Sequence, residues 1–314
     1  MEPENPTKVA VVGVGALGEH HARIYAQLPE AELVAVVDTK GDRAHEIAAR
    51  YNCRGFRDYR EILHSVEAVS LAVPTCEHRS IGTVFLECGI HVLVEKPLAS
   101  DLSGANRLIE TQKKKGCVLQ VGHSERFNPA IQAIRPHVTR PQFFESHRLG
   151  VFVRRSLDID VVLDLMIHDL DIILYLNRSR VQDIRAVGIP VLTPKVDIAN
   201  ARLEFENGCV ANVTASRVSN EKIRKLRFFQ PHDYVSIDLY RQEVEIHSLA
   251  ERSSGKQIIE RRLEIHRDEP LHLEIQAFLG TIRDKQPTEC SGEEAIKALE
   301  IALQIVEQVQ GKIH

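Results

Sequence analysis

The sequence lacks any excess of basic residues. Forty lysines and arginines stand against 44 acidic residues, a formal net charge of −4, with no long block of one sign. A general nucleic-acid surface needs such an excess, so that class is set aside; a local basic pocket for a phosphorylated substrate stays open. No apolar run approaches the roughly 18 residues needed to span a bilayer, so a membrane partner is not expected. The opening Met1-Glu2-Pro3-Glu4-Asn5-Pro6 is polar and acidic, which is not the pattern of a secretory leader. The cysteines at 53, 76, 88, 117, 209 and 290 form no C-x-x-C pair and show no disulfide-like spacing. They read as free thiols in a reducing compartment, and the expected location is cytoplasmic. Tryptophan, internal repeats and low-complexity segments are also absent. At 43% hydrophobic and 27% charged, the composition is that of an ordinary soluble protein long enough for two domains.

What is present changes texture part-way along. Over the first 125 or so residues, short apolar strands (8–12, 32–37, 68–73, 91–94 and 117–121) alternate with helical stretches (17–28, 42–50, 77–88 and 102–115). Strands apolar nearly throughout, joined by helices, predict a parallel sheet covered on both faces, doubly wound by right-handed crossovers. After a helical stretch at 163–176, segments at 199–206, 210–216, 225–229, 234–239 and 243–246 alternate apolar and polar residues. Asn207-Gly208 between two of them is a hairpin signal. This half reads as an α+β domain on an open, mainly antiparallel sheet, closed by helices at 271–283 and 292–310. The expected division is 1–125 and 126–314, with the final helices free to pack across it.

The first strand runs into Gly13-Val14-Gly15-Ala16-Leu17-Gly18, which opens a predicted helix. A G-x-G-x-x-G in that context marks a dinucleotide site. Gly13 permits the tight turn, Gly15 lets the backbone approach a pyrophosphate, and Gly18 lets helix and strand lie close. Asp38 ends the second strand, twenty residues after Gly18. A carboxylate there accepts from the adenosine ribose hydroxyls and repels a 2′-phosphate, so NAD is expected over NADP. Lys40 and Arg43 leave a minor NADP route, and a glycine turn that binds nothing is the plain alternative.

Ligands of open α/β sheets lie beyond the carboxyl ends of the strands. There the sequence places Pro74 and Thr75 with His78, then Glu95-Lys96-Pro97, then Gly122-His123 followed by Arg126 and Asn128. Downstream, Asp164 and His168 are spaced i,i+4 on a predicted helix, on one face. Oxidising an alcohol needs a base as hydride leaves, and imidazole suits that role. An ordinary surface pair is the plain reading, and Asp164, His168 and Asp171 form a weaker metal-ligand alternative.

The glycine loop, Val73-Pro74-Thr75 with His78, Glu95-Lys96-Pro97, and Asp164 with His168 together resemble the Gfo/Idh/MocA oxidoreductases over essentially the whole chain. The resemblance implies a Rossmann domain followed by a sheet-based substrate domain. It further implies an NAD-dependent dehydrogenase acting on a sugar, cyclitol or nucleotide-sugar hydroxyl, and a homodimer or homotetramer formed through the second sheet. Lys96, Asp164 and His168 match the family's catalytic set. His168 is expected as base, Lys96 as donor to the reacting oxygen and Asp164 as its partner. The cofactor contacts expected are Gly13, Gly15, Ala16, Leu17, Gly18, Asp38, Pro74, Thr75, His78, Glu95 and Lys96, with no metal.

Residues 122–130 and 160–169 are similar to family members that act on UDP-N-acetylhexosamines. That implies oxidation of the C3 hydroxyl of UDP-N-acetylglucosamine, a step of lipid A biosynthesis. Lys96, His123, Arg126, Asn128, Arg154, Arg155 and His168 are the expected substrate contacts, with arginines suited to the diphosphate. The family's glycine-rich segment before the catalytic helix is here Asp158-Ile159-Asp160-Val161-Val162. A dinucleotide-binding regulator without turnover is the alternative from another class.

Overall fold

The computed structural model describes residues 5–152, 159–252 and 255–311. The chain divides into two compact units, one of residues 1–124 with 271–296, the other of residues 125–270 with 297–314.

In unit 1, strands β1 (Thr7–Val12), β2 (Ala31–Val37), β3 (Arg54–Phe56), β4 (Ala68–Leu71), β5 (His91–Glu95) and β6 (Leu119–Gly122) form one sheet. Their order is β3-β2-β1-β4-β5-β6, and every neighbouring pair is parallel. The helices between them are α1 (Ala16–Tyr25), α2 (Gly41–Arg50), α3 (Thr75–Glu87) and α4 (Leu102–Lys115). The order reverses direction between β1 and β4, so polar residues following these strands gather at one edge. Val9 and Val11 pack with Ile24 and Tyr25 of α1, and Ala10 and Val12 on the opposite side of β1 are buried too. That explains why these strands lack an apolar–polar alternation.

Helix α7 (Pro270–Asp284) adds Ile275, Phe278 and Leu279 to the same core. The sequence reading divides the chain at 125/126 with the final helices free to pack across; residues 271–296 group with unit 1, where the apolar face of α7 is buried. Helix α8 (Gly292–Gln310) begins in unit 1, where a Cβ at Gly292 would stand 2.8 Å from Ile109 and 3.0 Å from Leu119. Its later residues Ala298, Ile301, Ala302, Ile305 and Val309 join the core of unit 2.

Unit 2 holds a short helix α5 (Pro129–Ile134), strand β7 (Phe143–Leu149) and helix α6 (Ile167–Asn177), the last entered through a π-helical turn at Val162–Met166. Strands β8 (Val181–Ile189), β9 (Ile198–Phe205), β10 (Val210–Ser216), β11 (Ile223–Gln230), β12 (Asp233–Asp238), β13 (Glu243–Arg252) and β14 (Gly255–Arg262) follow. The sheet order is β14-β13-β12-β11-β7-β10-β9-β8. Only β7 and β10 are parallel; the other pairs are antiparallel. One face carries Phe144, Ala211, Val213, Leu226, Phe228 and Val235, which pack with Ile172, Ile173 and Leu176 of α6. The other face carries a row of rings: Phe143 lies 6.0 Å from Phe229, Phe229 5.0 Å from Tyr234, and Tyr234 5.4 Å from His247.

Four strands were not expected, and the reasons differ. β3 has three residues, too few for a pattern. In β7 the inward positions are Phe144, Ser146 and Arg148, so polar residues hide the alternation. β8 turns only Ile184 and Ala186 into the core, and β14 is exposed along its whole length.

Candidate active site

The glycine loop folds for steric reasons that can be read atom by atom. Gly13 has φ +84°, a left-handed conformation, and a Cβ there would stand 2.7 Å from the Ala72 carbonyl oxygen. A Cβ at Gly18 would collide with the Gly13 carbonyl oxygen, so the loop and α1 can approach only without it. Gly15 differs: no atom lies within 4 Å of where its Cβ would be. The protein itself does not require glycine at that position. The open backbone there leaves room for a ligand to lie against it, which is the fit a pyrophosphate needs at a helix N-terminus. Ala16 and Leu17 are exposed beside it in the first turn of α1.

Asp38 is fixed against this loop. Its carboxylate accepts from Val14 N at 3.1 Å and from Lys40 N at 2.9 Å, while Gly13 N donates to Val37 O at 2.8 Å. Arg43, the candidate for a 2′-phosphate, is committed elsewhere. It donates to Val14 O at 2.8 Å, to Glu19 at 2.5 Å and to Glu46 at 2.9 Å. The bond from Arg43 is the main reason the Glu19 carboxyl is held below its ordinary pKa. Lys40 remains a cation at the rim of a hollow that Arg57 also lines.

The remaining unit 1 residues cluster at the ends of β4, β5 and β6. Pro74 and Thr75 open α3. Lys96 follows β5 and is half-buried, with a cis bond to Pro97. His78 and Glu95 face inward rather than outward. His78 is buried between the ends of β4 and β5, with Nδ1 2.9 Å from Pro97 O and Nε2 3.0 Å from Val73 O, and its one N–H in the neutral form donates to one of the two. Burial pushes its pKa down. Glu95 lies 2.9 Å from His21 Nε2 of α1, and a Cβ at Gly122 would meet Glu95 at 3.0 Å. The side chains of these two expected cofactor contacts thus brace the loops. His21 is fully buried. His123 is buried after β6.

In unit 2, Asp164 sits in the π-helical turn and His168 is the second residue of α6, both half-buried. π-helical turns within helices are frequent at functional sites. Flanking them is an ionic frame that the sequence reading missed. Arg148 of β7 donates to Asp169 at 2.7 and 3.2 Å and to Glu125 at 3.0 Å. Arg224 reaches Glu125 at 3.4 Å. Burial raises the Glu125 pKa, but Arg148 and Arg224 outweigh it and hold the carboxyl below its ordinary value.

Arg126 makes a bidentate bond to Asp171, both distances 2.7 Å, with the two side chains almost wholly buried. Arg126 and Asp171, expected as a diphosphate contact and weighed as a metal ligand, thus engage each other. Asn128 caps α5 and donates to Glu125 and Leu239 O at 3.0 Å each, so it too serves the frame rather than a substrate. Arg154 and Arg155 lie outside the described residues. Among the described residues no group of three potential ligands is placed to hold a metal ion, and no helix is long and apolar enough to cross a membrane.

Comparison with known proteins agrees with the fold. Residues 7–123 match the oxidoreductase family with an NAD-binding Rossmann fold, and residues 130–236 match the Gfo/Idh/MocA C-terminal domain. The chain is 38% identical to UDP-N-acetylglucosamine 3-dehydrogenase of Acidithiobacillus ferrooxidans, covering 95% of this chain and 96% of that protein. A solved structure of that enzyme superposes with a TM-score of 0.93 at 37% identity, covering 99% of this chain and 100% of the other. Myo-inositol 2-dehydrogenase of Thermotoga maritima is 25% identical over 93% of each chain. The chain belongs to the Gfo/Idh/MocA family of oxidoreductases, with an NAD-binding Rossmann fold.

Proposed function

We propose that this chain is an NAD-dependent dehydrogenase that oxidises the C3 hydroxyl of UDP-N-acetylglucosamine to the 3-keto sugar nucleotide, for lipid A biosynthesis in the cytoplasm. The observation that carries the reading is 38% identity, over 95% of the chain, to an enzyme named for that reaction. Bound NAD+ supplies the hydride acceptor. Asp38 takes the ribose hydroxyls as an acceptor-only group, and the backbone at Gly15 receives the pyrophosphate. His168 removes the hydroxyl proton, and Asp164 keeps the imidazole in the right orientation. Lys96 donates a hydrogen bond to the same oxygen and stabilises the charge that develops as its proton leaves. Lys96 and His168 lie in different units, and their pairing rests on family register. Six free thiols support the location. The ring row on the open face of the second sheet supports a homo-oligomer formed there.

The test is to mix protein, NAD and UDP-N-acetylglucosamine and follow the fluorescence of reduced cofactor. A time-dependent rise with the UDP-sugar, absent with free N-acetylglucosamine, is expected. A rise with inositols alone sinks the substrate, and none with any sugar or cyclitol returns the chain to a non-catalytic regulator.

A further inference from the structure

Unit 2 carries a second concave feature at the carboxyl end of α6. It is a hollow of about 320 Å³, with Arg135, Thr139 and Arg140 on one side and Tyr175, Asn177 and Arg178 on the other. Of its ten lining residues three are arginines, and none is an aspartate or glutamate. That is a local cationic concentration on a chain of net charge −4.

The arginines are set up differently. Arg140 and Arg178 are exposed, and neither makes an ion pair among the described residues. The Arg135 guanidinium is held over the Tyr175 ring at 4.7 Å, and Arg126, neutralised by Asp171, lies 4.9 Å from the same ring. Between them, Asn177 accepts from Asn207 Nδ2 at 3.0 Å, while its own Nδ2 is buried without an acceptor. An unsatisfied buried donor beside the exposed guanidinium groups of Arg140 and Arg178 needs an explanation, and an anionic oxygen supplies one. The carboxyl end of α6 opposes an anion with about half a charge, against the positive charges of Arg140 and Arg178.

We propose that this hollow is a binding site for a phosphate-bearing small molecule, with a pyrophosphate-sized anion seated between Arg135, Arg140 and Arg178. Guanidinium forks engage phosphate oxygens in pairs, and Tyr175 fixes one fork in advance. The site is separate from the candidate reaction centre: Arg178 lies ten residues beyond His168 along α6, about 15 Å at helical rise. It does not depend on the substrate proposed above.

The test is calorimetric titration of inorganic pyrophosphate into the full-length protein saturated with NAD, which occupies the dinucleotide loop. The wild type binds, and the Arg140→Ala/Arg178→Ala double variant binds at least tenfold more weakly with its melting temperature unchanged. A control pair of equal charge change on the open sheet face, Arg185→Ala/Arg202→Ala, keeps wild-type affinity. If the double variant unfolds, the single Arg140→Gln and Arg178→Gln variants take its place. No heat with wild type, undiminished affinity in the Arg140/Arg178 variants, or an equal loss in the control pair overturns the proposal.

Discussion

At Gly18 an added methyl group has nowhere to go, whereas at Gly15 it meets nothing. Gly18→Ala therefore lowers stability by about 3 kcal/mol, the upper range for overpacking, despite the better helix propensity of alanine. Gly15→Ala leaves the melting temperature of the apoprotein within a degree or two, yet weakens NAD binding about tenfold or more. Thermal melts with and without NAD separate the two, and equal loss of stability in both variants would show that Gly15 is structural. Lys96→Ala and His168→Ala each reduce kcat by about 100-fold or more, the scale of general acid–base and oxyanion effects; values within threefold of wild type refute their assignment. His91 offers a pH test. Its Nδ1 accepts from Val118 N at 2.8 Å, so the proton sits on Nε2, and burial lowers its pKa. A lowered pKa means the unfolded chain binds the proton first as pH falls. Stability present above the ordinary histidine pKa, about 6.5, is thus lost on acidification. His91→Asn, which can accept the same bond without titrating, should flatten the melting temperature between pH 7 and 5; an unchanged slope rules His91 out as its source.

Helix α6 is held as an element by charges at its first turn. Asp169 and Asp171 are buried and bonded to Arg148 and Arg126, so the stretch bearing His168 is tied both to β7 and to the segment after β6. Buried ion pairs are weak evidence for net stability, but removing one partner leaves the other charge stranded, at about 3–5 kcal/mol. Asp169→Asn leaves Arg148 with Glu125 as a partner, so it is expected to cost unit 2 less than that, about 1–3 kcal/mol, in denaturant unfolding; no measurable loss would mean water already reaches Arg148. The same frame has a second pH signature. Because the Glu125 pKa is lowered in the fold, its contribution is present above the unfolded carboxylate value and is lost as pH falls through the folded one. Glu125→Gln should remove that acid-side component and leave the histidine component above pH 5 untouched.

For the molecule as a whole, cofactor choice and assembly are the properties to measure. Asp38 is fixed at the end of β2 and Arg43 is absorbed by Glu19, Glu46 and Val14 O. A 2′-phosphate would then face a carboxylate with only Lys40 and Arg57 near, so kcat/KM should favour NAD over NADP by about 100-fold, roughly 3 kcal/mol. Near-equal values would put Lys40 and Arg57 in control. If the ring row on the open sheet is an interface, light scattering on the purified protein gives a dimer or tetramer, and Phe229→Lys shifts it toward monomer. A wild-type monomer at micromolar concentration excludes that assembly.

The parallel sheet, the glycine loop with Asp38 and the boundaries of α8 were legible in the residues, because each follows from local periodicity or from a motif whose spacing is steric. The catalytic candidates were legible only through family register: Asp164 and His168 share a helical face, but nothing local marks them as more than a surface pair. Tertiary structure decided the rest. It turned Glu95 and His78 inward, assigned Arg126 to Asp171 and Asn128 to a helix cap, and placed α7 in the first unit. It also showed β7 to be a strand with an arginine on its core face. Most of those outcomes depend on which side chains meet across the fold, 74 residues apart for His21 and Glu95 and 45 for Arg126 and Asp171, and a buried charge is tolerable only beside its partner. Pattern along the chain records the period of an element; pairing between distant side chains exists only once the chain has folded.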